Sequence, residues 1–89
     1  MNIKLELFGA SKDFSKRSFI EFYLEEKSTI KELRVAIIKF IKINFNDNEG
    51  YKKIVNSSSF CSYKNEIVSD NYKISNDEKI GIIPPIGGG

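Results

Sequence analysis

The residues of this chain whose types and spacing could do chemistry are its last six, Pro84-Pro85-Ile86-Gly87-Gly88-Gly89. Pro84 and Pro85 have no backbone N–H to donate, so strand pairing must stop there, and both favour a stiff, extended polyproline conformation. Gly87, Gly88 and Gly89 carry no side chains. Such a tip can thread a passage too narrow for any Cβ and adopt whatever backbone angle that passage requires. If the chain ends at Gly89, its last group is a free carboxylate. Composition alone leaves a loose terminus or an appended glycine run as open as a working tip. The tip is favoured because the glycines follow an apolar strand directly, without the serines of an ordinary linker.

The rest of the inventory is poor in catalytic groups. There is no His among the 89 residues, so the commonest general base and metal ligand is missing. Cys61 stands alone, which excludes an internal disulfide, a zinc ribbon and a CxxC redox pair. In a strand-like run a lone Cys reads first as an inert, semi-core residue, with a persulfide relay as the sharper alternative. A net charge of +2 gives no ground for expecting nucleic acid or a membrane as partner. The start, MNIKLELFG, lacks the pattern of a signal peptide. The longest apolar-rich segment, Val35 to Ile43, is broken by Lys39 and Lys42, far short of the ~18 apolar residues of a bilayer span. A cytoplasmic location is expected, with no bound metal or cofactor.

These residues must be positioned by a single small domain. Ile3-Lys4-Leu5-Glu6-Leu7 alternates apolar and polar, the period of a half-buried strand, and Phe8 extends it before Gly9. Residues 9–17 read as a loop anchored by Phe14. Phe19 to Leu24 reads as a second strand, antiparallel to the first. Thr29-Ile30-Lys31-Glu32 has the form of a capping box, and Ile30, Leu33, Ile37, Phe40 and Ile41 then lie on one helical face. The helix should fade between Asn44 and Asn48. Residues 47–59 are polar and read as an irregular stretch. Phe60 to Tyr63 and Glu66 to Val68 are short strand candidates. Ser75 to Glu78 is a turn, and Lys79 to Ile83 is the last strand. Two strands, a helix and a returning strand predict an α+β fold: a mixed sheet with one main helix across it and the last strand parallel to the first. That is the β-grasp, or ubiquitin-like, roll. The expected division is a domain over 1–83 and an extended tail over 84–89.

The run Ile82-Ile83-Pro84-Pro85-Ile86-Gly87-Gly88-Gly89 resembles the C-terminus of the sulfur-carrying small subunits of molybdopterin synthase, which commonly end in two apolar residues, Pro-Pro, an apolar residue, a small residue and Gly-Gly. Looser likeness extends upstream through Asn65-Glu66-Ile67-Val68, Asp77-Glu78-Lys79-Ile80 and the first strand, and Lys12-Asp13 stands where an Arg-Glu pair is frequent. Lys12 and Lys64 depart from the usual Arg and Asn, the acidic turn lacks the usual Gly, and residues 47–59 match nothing in the pattern.

The resemblance implies that an E1-like adenylating enzyme uses ATP to activate the Gly89 carboxylate, and that a sulfur donor converts it to a thiocarboxylate. It further implies docking on the large synthase subunit, with sulfur passing to a pterin precursor of molybdopterin. Gly87 and Gly88 would thread the partner's active site. Pro84, Pro85, Ile86, Ile83 and Phe8 would meet its surface, with at least some of the apolar strand residues turned inward instead. The protein would then be a carrier with no catalytic side chain of its own. Two alternatives stay open: a related carrier serving thiamine, cysteine or tRNA thiolation, and a plain β-grasp interaction domain with an inert tail.

Overall fold

The computed structural model describes residues 1–86, so the expectations for Gly87, Gly88 and Gly89 lie outside the described residues. Alternation builds the first strand, β1 (Asn2–Leu7): Ile3, Leu5 and Leu7 are buried, while Asn2 and Lys4 face solvent. β2 (Phe19–Tyr23) pairs antiparallel with it, with Leu5 opposite Ile20 and Ile3 opposite Phe22. The long helix α1 (Ile30–Asn44) follows the predicted stripe, with Ile30, Leu33, Ile37 and Ile41 fully buried and Phe40 half-buried beside them.

The start of α1 is held from two directions. The Glu32 carboxylate accepts from the Thr29 backbone N–H at 3.3 Å and from the Thr29 hydroxyl at 2.6 Å. The helix's own orphan donors reach outward: Ile30 N–H donates to the Tyr72 carbonyl and Lys31 N–H to that of Asp70, both at 3.1 Å. The loop before the last strand therefore caps the helix.

Residues 47–59 are not irregular. They form a second helix, α2 (Glu49–Ser57), which corrects the sequence expectation. Asn48 caps it by accepting from the Tyr51 N–H at 2.9 Å. Tyr51, Ile54 and Val55 lie at helical spacing and face inward. An aromatic chain fixes its place: Phe14 and Phe45 each sit 5.2 Å from Tyr51, and Phe45 lies 6.0 Å from Phe40. At its other end the Arg34 guanidinium donates to the carbonyls of Val55 at 2.7 Å and Ser58 at 3.0 Å, and pairs with Asp70 at 2.7 Å. The expected loop over 9–17 likewise contains a short 3₁₀ helix, Gly9–Phe14, with Phe14 buried as anchor.

β3 (Ser59–Cys61), β4 (Ile67–Val68) and β5 (Lys79–Ile83) complete one five-stranded sheet in the order β2-β1-β5-β3-β4. β5 runs parallel to β1 and antiparallel to β3, which places the last strand in the middle of the sheet. With α1 packed across the face that carries Ile3, Leu5, Ile80 and Ile82, this is the α+β β-grasp roll.

The turn into β5 is set by one buried carboxylate. Glu78 is 5% exposed and accepts from Ser75 N–H at 2.8 Å, Tyr63 N–H at 3.2 Å and the Tyr72 hydroxyl at 2.8 Å. Burial first, and then the hydrogen bond to the Glu78 carboxylate, push the Tyr72 phenol up to about 12. Its unfolded value is near ~10, so between those values the unfolded chain loses this proton before the folded one does. The stability contributed by this group is complete below pH ~10 and is lost as pH rises through about 12. Tyr72→Phe should therefore lower stability by ~1–2 kcal/mol near neutrality, and that deficit should shrink above pH ~10. Urea unfolding of both chains across pH reads it; a deficit independent of pH would contradict the network.

Candidate functional site

The tail leaves the sheet at the end of β5, beside the end of β1, because the two strands run in the same direction. β5 stops at Ile83, as two following prolines require. Pro84 is buried rather than displayed. It packs beside Gly9, where an added Cβ would lie 3.8 Å from Pro84 Cδ. Gly9 has φ +55, a left-handed conformation that allows the chain to turn sharply from β1 into the 3₁₀ helix. Pro84 is thus the root of the tail. Pro85 is exposed, and Ile86 is 97% exposed with no apolar cover of its own.

The other two expected contact residues, Phe8 and Ile83, belong to the sheet face opposite α1. Phe8 is 43% exposed and Ile83 is half-buried. The backbone of Phe8 is clamped by buried Ser11, whose hydroxyl accepts from Phe8 N–H at 3.0 Å and donates to the Phe8 carbonyl at 2.6 Å. This holds the ring over Gly81. A Cβ placed there would lie 2.8 Å from Cys61 Sγ, closer than such atoms approach, and 3.0 Å from Phe8 Cε2, close enough that the ring would have to shift. Gly81 is small because two side chains occupy the space above it.

Strand register extends this contact into a strip. Cys61 is opposite Gly81 on one side and Ile67 on the other, and Ser59 is opposite Ile83. Ile67 is 63% exposed and Cys61 half-buried. Ile67, Cys61, Phe8 over Gly81, and Ile83 therefore run across one sheet face toward the tail root. A Lys79–Glu6 pair at 3.5 Å borders the strip. The sequence marked Phe8 and Ile83 but missed Ile67 and Gly81. The signal was available: a glycine between two isoleucines in a strand interior marks a close approach from a neighbour.

Among the described residues this arrangement offers an apolar strip on the sheet and an exposed Ile86. Among the described residues, no three His, Cys, Asp or Glu groups converge in a way that could hold a metal ion. No helix among them is long and apolar enough to cross a membrane.

No family model matches the chain, and no curated protein matches it. Solved structures do. A Pyrococcus furiosus protein described as a molybdopterin converting factor subunit 1 superposes with a TM-score of 0.71 at 19% identity, covering 96% of this chain and 98% of that one. The Helicobacter pylori complex of subunits 1 and 2 of molybdopterin-converting factor gives 0.62 at 21% identity, with both chains covered completely. Small archaeal modifier protein 1 of Haloferax volcanii gives 0.71 at 8% identity, covering 96% of this chain and 98% of that one. At these identities the shared property is the fold, a ubiquitin-like β-grasp.

The contact above Gly81 yields a double-substitution test. Gly81→Ala should destabilise the chain by ~1–3 kcal/mol through overpacking. Adding Cys61→Ala, which removes the closer of the two obstructing atoms, should restore part of that loss. Thermal unfolding of the four chains gives the coupling; strictly additive losses would mean that the two positions do not compete for space.

Proposed function

We propose that this chain is a ubiquitin-like sulfur carrier whose reactive group is the Gly89 carboxylate. The observation that carries the reading is the placement of the tail. Parallel pairing with β1 brings the end of β5 out beside an apolar sheet face, Pro84 roots it, and the exposed Ile86 is followed by three glycines. In this reading the folded domain is a handle, and a side-chain-free glycine tip suits delivery into another protein.

The chemistry asks nothing of this chain's side chains. A Gly89 carboxylate oxygen attacks the α-phosphorus of ATP in an adenylating enzyme, forming an acyl adenylate as pyrophosphate leaves. Hydrosulfide then attacks the carbonyl carbon; the bond to AMP breaks, AMP departs, and the remaining proton passes to solvent. The product is a thiocarboxylate, a soft sulfur nucleophile near neutral pH. Gly87 and Gly88 leave room for the tip inside each partner. Pro85, Ile86, Ile83 and Phe8 supply the apolar contact outside it.

The destination best supported is a large subunit of molybdopterin synthase acting on a pterin precursor, in the cytoplasm. The tail pattern Ile82-Ile83-Pro84-Pro85-Ile86 followed by glycines favours it, and a solved molybdopterin-converting factor complex has a subunit 1 with this fold. The equal superposition on a small archaeal modifier protein supports a second reading, in which the same tip serves another thiolation or a conjugation.

Intact-mass measurement after incubation with ATP, sulfide and an extract of the cells that make the protein tests the reading. The full chain should gain the mass difference between sulfur and oxygen. A chain lacking Gly88 and Gly89 should unfold at the same temperature and gain nothing. Sulfur acceptance by the shortened chain would overturn the assignment.

A further inference from the structure

The tail root is walled by α2 and the 3₁₀ helix as well as by the sheet. Ala10, Lys53, Ile54, Ser57, Pro84 and Pro85 line a groove beside the point where the chain leaves the fold, with a volume of about 270 Å³. Its polar rim is cationic. Lys52, one residue earlier, is neutralised by Asp47 at 2.8 Å and Glu49 at 3.1 Å. Lys53 is exposed, and among the described residues it forms no ion pair with a carboxylate.

Reach makes this groove matter. Gly89 lies three residues beyond Ile86, a stretch that spans at most about 10 Å when fully extended. An enzyme that handles the Gly89 carboxylate must therefore bring the mouth of its active site close to Pro85 and Ile86, and so against the groove.

We infer that this groove is the partner-sorting surface of the chain, and that its occupant is the lip of the tail-activating enzyme, carrying an acidic side chain opposite Lys53 and an apolar one on Ile54 and Pro85. The inference rests on the carrier reading and adds to it where selection is exercised. The apolar strip on the sheet supplies area, but a shape as general as Phe8 over Gly81 discriminates weakly between partners. Lys53, which forms no ion pair among the described residues, discriminates at this rim by repelling basic lips as well as by attracting acidic ones.

The rim charge should act on encounter and on salt dependence rather than on the chemical step. Isotope-labelled full chain and unlabelled Lys53→Glu chain are mixed in equal amounts with ATP, sulfide and the cell extract. Intact mass then reports the fraction of each converted to thiocarboxylate, and the ratio of initial rates gives the ratio of kcat/KM. Lys53→Glu should be converted roughly threefold to tenfold more slowly at low salt, with the gap closing as salt is raised. Lys73→Glu makes the same change in net charge at the opposite end of the sheet, where Lys73 bridges Thr29, and should compete evenly with the labelled chain. Ala10→Arg, which fills the groove from its other wall, should be slowed at every salt concentration. If Lys53→Glu and Ala10→Arg both keep pace with Lys73→Glu while the labelled chain is converted, the groove is not a sorting surface. If the labelled chain itself gains no sulfur, the carrier reading falls and this inference falls with it.

Discussion

The pairing of β5 between β1 and β3 is the constraint on which the rest of the structure depends. β5 is the last of the described elements yet it sits in the centre of the sheet, parallel to the first strand. Its inward residues Ile80 and Ile82 complete the core against α1, so the sheet cannot close until the end of the chain has been placed. The same pairing fixes the exit. Because β5 and β1 run in one direction, the tail must emerge beside Phe8 and Gly9, and burial of Pro84 holds it there. Fold stability and tail presentation are one interaction seen from its two ends.

Several smaller devices serve that strand. Glu78 gathers three donors to shape the turn before it. The carbonyls of Asp70 and Tyr72 cap α1 from the loop that leads to it. Ser11 clamps Phe8 beyond its neighbour β1, and Gly81 leaves room for the Phe8 ring and Cys61 on its outer side. Among the described residues no buried side-chain nitrogen or oxygen lacks a partner, which suits a rigid handle. Arg34 ties α1 to the end of α2 and to Asp70.

Most of this architecture was legible in the sequence because its signals are strictly periodic. Ile3, Leu5 and Leu7 alternate; Ile30, Leu33, Ile37 and Ile41 repeat at helical spacing; and the end of β5 is dictated by two prolines. α2 was not legible. Its apolar face has only Tyr51, Ile54 and Val55, a single helical turn, and Gly50 and the surrounding Asn, Asp and Ser residues speak for a loop. Contacts with Phe14, distant in sequence, and with Phe45, just ahead of it, fix it as a helix. Of the expected contact residues, Phe8, Pro85 and Ile86 are exposed and Ile83 half-buried. The burial of Pro84 is not legible in the sequence, because nothing local reveals that Gly9 will lie against it. Ile67 joins the strip only through the pairing of β3 with β4, and no short-range pattern shows a strand register.

The central claim is that chemistry resides in the backbone terminus while the folded domain supplies none of it. Cys61 is the one thiol that could compete for the role of sulfur acceptor. The direct measurement is fragmentation mass spectrometry of the Cys61→Ser chain after incubation with ATP, sulfide and the cell extract. The account predicts that sulfur replaces oxygen on the terminal glycine, in the same yield as in the unsubstituted chain and only when ATP is present. Absence of sulfur from Gly89 in both chains would contradict it.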